Sequence, residues 1–221
     1  MAIAAPPTRK WLTMAEVVER VGDIPLERIL KRPRPGTATE QDVLDLDDHE
    51  DILCELIDGI LVKRPMGYLE SRIAATLNRK LDEYLESSGL GVLAGEAGML
   101  RLAERLVRIP EVSVVLWDYI PGGEIPDARI PEMAPTLAVE VLSDSNTAKE
   151  MVRKLGEYFG VGTQMVWIID PPTLTIRVYS SPEQFELLSE SDTLEGGSLL
   201  PGFSLSIKAL FERASVRRKT K

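Results

Sequence analysis

Two apolar runs separated by a helical pattern constrain this chain more than any other feature. The runs are TLAVEVLS at residues 136–143 and QMVWIID at residues 164–170, with a capping box and a helical repeat between them. A strand, a helix and a strand in this order indicate a βαβ crossover, so part of the sheet is parallel. The first run contains Glu140. Carboxylates are rarely buried without a partner, so this residue requires a chemical explanation.

Hairpins and helices are predicted around that unit. CELIDGILVKR at residues 54–64 indicates two strands joined at Asp58-Gly59, a dipeptide typical of tight hairpin turns. Residues 69–88 predict the longest helix, which Gly89 ends. Further short strands are indicated by VLAG, GMLRL, LVRIP, VSVVLW, LTIRVYS, FELLSE and FSLSI. We therefore expect an α/β fold in which a mixed β-sheet is flanked by helices and the hairpins add antiparallel edges.

The termini differ in composition from the rest of the chain. Residues 1–38 predict an N-terminal helical accessory segment, in which TMAE at residues 13–16 is a capping box and KRPRPG is a linker. Residues 39–214 form the main domain, and residues 215–221 a basic flexible tail. The acidic stretch at residues 39–51 is expected to be a solvated helix end or loop rather than a metal site.

Composition excludes several classes of function. The single Cys54 excludes an internal disulfide and a cysteine-built zinc site, and the single His49 argues against a serine hydrolase. No apolar run reaches membrane-spanning length, so we expect a soluble, cytoplasmic protein with no membrane segment. The net charge of −9 argues against a broad basic face for nucleic acid. DNA binding then requires local positive charge, a bound metal ion or a second subunit.

Two acids and a lysine form the candidate site. Glu111 follows Pro110 at the head of one apolar run, Glu140 lies within the next run, and Lys154 lies on the helix that follows. Such a group can hold a divalent cation and hydrolyse a phosphodiester. Lys154 lies at the border of the apolar stripe of its helix. It therefore either reaches the sheet or pairs with Glu150 at the surface.

Six segments together resemble a known family. They match, in order, the motifs of the bacterial putative restriction endonuclease family, formerly a domain of unknown function, which belongs to the PD-(D/E)XK nuclease superfamily. The resemblance covers roughly residues 39–212 and rests on CELIDGILV, VRIPEVS, AVEVLS, Lys154 with EYF, VWIIDP and LPGF. It implies a restriction endonuclease-like fold and a Mg²⁺-dependent DNA endonuclease, with Mn²⁺ as a possible substitute.

The resemblance also implies a role for each residue of the site. Glu111, where the family has Asp, and Glu140 would be metal ligands, and the carbonyl of Val141 would complete the shell. Lys154 would position water or stabilise the transition state. Glu55 would bind a second cation or orient water.

Other positions carry weaker expectations. Glu70 is a further catalytic candidate, because it occupies a place where many members of the family that the chain resembles carry His. Arg101 and Arg108 either contact DNA phosphates near the site or face solvent. A homodimer is expected, because nucleases that cut both strands commonly pair two sites. The alternative function is a catalytically degenerate nuclease fold that acts as a DNA- or protein-binding module.

Overall fold

The structure is a computed structural model that describes residues 11–65 and 67–215, except for the side chain of Pro121. The helices are α1 (Met14–Arg20), α2 (Glu40–Glu50), α3 (Tyr68–Ser88), α4 (Ala148–Gly160) and α5 (Ile207–Ala214). The strands are β1 (Cys54–Ile57), β2 (Ile60–Lys63), β3 (Gly91–Ala94), β4 (Leu100–Ala103), β5 (Leu106–Arg108), β6 (Val112–Leu116), β7 (Leu137–Val141), β8 (Met165–Asp170), β9 (Thr175–Ser181), β10 (Gln184–Leu188), β11 (Thr193–Glu195) and β12 (Ser204–Ser206). The expected basic tail lies outside the described residues beyond its first position.

A six-stranded sheet with the order β10-β9-β8-β7-β6-β3 forms the centre of the fold. Strands β7 and β8 are parallel and α4 connects them, which confirms the βαβ crossover. The other neighbours in this sheet pair antiparallel. Alternation along β7 directs Val139 toward α3 and α5, and Ala138 toward α4. Glu140 shares the face of Ala138, so its side chain points toward α4.

The β1–β2 hairpin does not extend the central sheet, contrary to expectation. It forms a separate four-stranded sheet with the order β2-β1-β5-β4. The chain passes from this sheet to the central one through residues 109–111, between β5 and β6. Pro110 lacks the N–H that a continuous ladder would need, which favours a break there. Glu111 therefore lies where the two sheets meet.

The N-terminal segment packs against the hairpin. Val17 of α1, with Val21, Ile24 and Ile29, forms an apolar cluster with residues of β1 and β2. The amide of Leu30 donates to the Leu61 carbonyl at 3.0 Å. The acidic stretch that follows is a full helix, α2, because Thr39 and Asp42 form a capping box and Val43 is buried. No helix in the described part of the chain is long and apolar enough to cross a membrane.

Candidate active site

Glu111 and Glu140 approach each other from two adjacent strands. Strands β6 and β7 are antiparallel neighbours, with Val112 opposite Val139, so Glu111 lies beside the end of β7 that carries Glu140. The side chains of Glu111 and Glu140 are 11% and 6% exposed and lie within hydrogen-bonding reach of one another. The Val141 N–H donates to Glu111 Oε2 at 3.3 Å. The metal-binding role predicted for the Val141 carbonyl stays a prediction.

Lys154 points into the molecule. Its Nζ lies 2.9 Å from Glu140 Oε2 and 3.2 Å from Glu55 Oε1, and the residue is 5% exposed. The alternative surface pairing with Glu150 is wrong. Burial alone would lower the pKa of Lys154, but the carboxylates of Glu140 and Glu55 outweigh burial and raise it. Lys154 therefore remains an ammonium group at neutral pH.

Tyr158 also contacts Glu140, a role that the sequence did not indicate. Its hydroxyl donates to Glu140 Oε1 at 2.7 Å from one turn beyond Lys154 on α4. Burial, and then the Glu140 carboxylate, raise the pKa of Tyr158 well above its usual value. The phenol thus stays a neutral hydrogen-bond donor. Tyr158 and Lys154 each hold one oxygen of Glu140, which orients the carboxylate.

Arg64 contacts Glu111 and was also not expected at the site. Its guanidinium donates to Glu111 Oε1 at 2.8 Å and to the carbonyl of Glu96. Burial, and then the adjacent Glu140, raise the pKa of Glu111 to about 8 against the opposing effects of Arg64 and Lys154. At neutral pH without a metal ion, Glu111 therefore binds a proton most of the time.

Glu55 lies on the other sheet and is fully ionised. Arg108 donates to its Oε2 at 2.6 Å, and the Ile109 N–H donates to its Oε1 at 3.3 Å. Burial alone would raise the pKa of Glu55, but Lys154 and Arg108 outweigh it and lower the pKa to about 2. Glu55 thus anchors the Lys154 ammonium from the side opposite Glu140.

The two arginines that were expected to contact DNA form ion pairs with carboxylates of the protein. Arg108 is completely buried between Glu55 and Glu157. The expectation that it contacts DNA phosphate is therefore wrong, and its role is that of a buried counter-ion to these two acids. Its burial follows from its position in an inner strand of the smaller sheet. Arg101 pairs with Glu40, at 2.6 Å from its Nε, and with Glu132 at 3.6 Å. A phosphate contact from Arg101 stays a prediction.

Glu70 is not joined to the carboxylate pair. It is half-buried in the first turn of α3, and its carboxylate lies over Gly67, where an added Cβ would fall 1.8 Å from Oε2. Among residues 11–65 and 67–215, no hydrogen bond or ion pair links it to Glu111 or Glu140. A catalytic role for Glu70 remains a prediction.

The donor set of Glu111 and Glu140 fits a divalent cation. No group of three His, Cys, Asp or Glu residues in the described parts of the chain is arranged to hold a metal ion. Mg²⁺, however, is often held by one or two carboxylates, with water and substrate phosphate completing an octahedral shell. Each of the four carboxylate oxygens accepts one hydrogen bond from the protein, which leaves lone pairs for a ligand.

The N-terminal segment reaches this site through Arg28. Its guanidinium forms two hydrogen bonds with Glu150 of α4, at 2.8 and 2.9 Å, and donates to the carbonyls of Lys63 and Ser145 at 3.1 Å. Lys63 directly precedes Arg64, and Glu150 lies one turn before Lys154. Arg28 therefore links the end of β2, which Arg64 follows, to α4, which carries Lys154.

Comparisons with known proteins identify the family and the fold of the chain. The chain is similar to the crystal structure of a putative nuclease belonging to DUF820 from Anabaena variabilis ATCC 29413, with 26% sequence identity and a TM-score of 0.65. That match covers 74% of this chain and 92% of the other. No curated protein matches. The model of the Uma2 family, described as putative restriction endonuclease, matches residues 40–208. The family match spans most of the chain, which therefore belongs to the Uma2 family and has its nuclease fold.

Proposed function

We propose that this protein is a Mg²⁺-dependent DNA endonuclease whose site is formed by Glu111, Glu140 and Lys154. The observation that carries the proposal is the buried contact between two carboxylates and an inward-facing lysine. Membership of a nuclease family supports the reaction class, and the donor set supports the cation.

The two carboxylates would hold the cation. A divalent ion bound there would lower the pKa of a coordinated water and neutralise charge on the scissile phosphate. Tyr158 and the Val141 N–H orient one oxygen of each carboxylate, so the ligands are preorganised. Glutamate is one methylene longer than the aspartate of the family pattern, and Glu111 lies where the chain passes between the two sheets.

Lys154 would act by its charge. The ammonium is held between Glu140 and Glu55 and stays protonated, so it cannot serve as a general base. It can donate a hydrogen bond to the attacking water or to a phosphate oxygen, where negative charge develops in the transition state. Glu55 keeps the ammonium in place and is a positioning residue in this scheme.

DNA binding should depend on the cation. The net charge of −9 repels a polyanion, and a bound cation would offset part of that repulsion at the site. A homodimer would present two sites to the two strands of a duplex. Sedimentation of the purified protein tests that arrangement, and a monomer at all concentrations would refute it.

Metal binding and cleavage together test the proposal. Mg²⁺ and Mn²⁺ are titrated by calorimetry into the parent, a Glu111→Ala/Glu140→Ala double variant and a surface control, Glu86→Gln. We expect binding in the parent and control that the double variant loses, and plasmid nicking that Lys154→Met abolishes. A parent that binds no metal would instead identify a non-catalytic DNA- or protein-binding module, the alternative function.

A further inference from the structure

Arg64 contacts a carboxylate oxygen of Glu111 that a bound cation would also use. The residue directly follows β2, and its side chain is 4% exposed. Its guanidinium donates to Glu111 Oε1 at 2.8 Å and to the Glu96 carbonyl, so it bridges the acid and the loop that precedes β4. The negative charges of Glu55 and Glu140 also act on it.

The three cations at the centre of the site are held unequally. Arg64, Arg108 and Lys154 contact the side chains of four acids, Glu55, Glu111, Glu140 and Glu157. Arg108 and Lys154 are held by two acidic partners each. Arg64 has a single carboxylate partner, and its second bond is to a neutral carbonyl. Arg64 is therefore the cation with the weakest attachment.

A divalent ion on Glu111 would disturb this arrangement. It would compete with the guanidinium for Oε1 and add positive charge to the pocket. A guanidinium released from Glu111 can bind the oxygens of a phosphate in a bidentate geometry. A phosphodiester arriving beside the metal would offset the added positive charge.

We propose that Arg64 is an exchangeable cation: it binds Glu111 in the metal-free protein and binds the substrate phosphodiester once a divalent cation is bound. This inference rests on the proposed nuclease function. It predicts that metal and DNA each strengthen the binding of the other, because linkage between two ligands is reciprocal. It also predicts that removing the charge of Arg64 strengthens metal binding and weakens DNA binding.

The experiment compares two neutral variants with a charged control. Arg64→Met removes the charge, Arg64→Gln removes it but keeps a polar donor in case the first variant does not fold, and Arg64→Lys retains it. Mn²⁺ alone is titrated by calorimetry. A short fluorescent DNA duplex is then titrated by anisotropy in the presence of Ca²⁺. Circular dichroism confirms that each variant is folded.

We expect the neutral variants to bind Mn²⁺ about tenfold or more tightly than the parent, and to bind the duplex about tenfold or more weakly. Arg64→Lys should stay near the parent in both. Neutral variants that bind Mn²⁺ equally or more weakly would overturn the inference, because the arginine would then serve only to hold Glu111. A parent that binds no Mn²⁺ would instead refute the proposed function, so the two failures are distinguishable.

Discussion

Metal binding at this site should release a proton near neutral pH. The test is to titrate Mn²⁺ into the protein at a series of pH values. Burial and the adjacent Glu140 raise the pKa of Glu111 to about 8, so its carboxyl carries a proton at pH values where an ordinary glutamate is ionised. A cation that binds the carboxylate must displace that proton.

The magnitude follows from this pKa. At about pH 7, roughly nine-tenths of the Glu111 side chains are protonated, so each bound ion should release ~0.9 proton. At about pH 9 the release should fall to ~0.1. The affinity should rise about tenfold per pH unit up to about pH 8 and then level off. Glu55, with a pKa of about 2, does not titrate in this range, and Lys154, whose pKa is raised, stays protonated near neutral pH.

Calorimetry in two buffers of different ionisation enthalpy measures the number of protons released. Glu111→Gln is the control, since it cannot ionise and should lose both the binding and the proton release. An affinity that does not change between about pH 6 and 8, or heats that do not depend on the buffer at pH 7, would refute the reasoning. Either result would mean that Glu111 is already ionised in the metal-free protein.

Three further outcomes follow from the buried charges. Arg28→Met should lower the free energy of unfolding by about 3–5 kcal/mol, because it leaves the Glu150 carboxylate buried without its cationic partner. Adding Glu150→Met should recover most of that loss, as measured by urea unfolding. A double variant no more stable than the single variant would contradict this prediction. Arg108→Met should also cost about 3–5 kcal/mol, measured in the same way, and Glu55→Gln in that background should restore stability if the unpaired carboxylate is the cause. Tyr158→Phe should keep the fold but lower the free energy of unfolding by about 1.5–3 kcal/mol, because one hydrogen bond to a charged acceptor is lost. It should also weaken Mn²⁺ binding measured by calorimetry. Unchanged binding would show that the hydroxyl does not orient the Glu140 carboxylate.

Local signals in the sequence determined most of the secondary structure. Asp58 and Gly59 both adopt positive φ, as a two-residue hairpin turn requires, and Gly89 ends α3 in the left-handed conformation. These features depend on a few adjacent residues, so they could be predicted. The separation of the hairpin into its own sheet could not, because strand order depends on pairing between distant segments.

The sequence also identified both acids, because a carboxylate inside an apolar run is unusual wherever the strand is placed. Lys154 stayed ambiguous, since a residue at the border of a helical stripe can turn either way until the sheet beside it is known. Arg64, Tyr158 and Arg28 carry no such local signal. Arg64 and Arg28 meet their acidic partners 47 and 122 positions away in the chain. The sequence by itself thus determined which acids are buried, and only the tertiary structure decided which cations and donors hold them, because those contacts join segments that meet only in the folded protein.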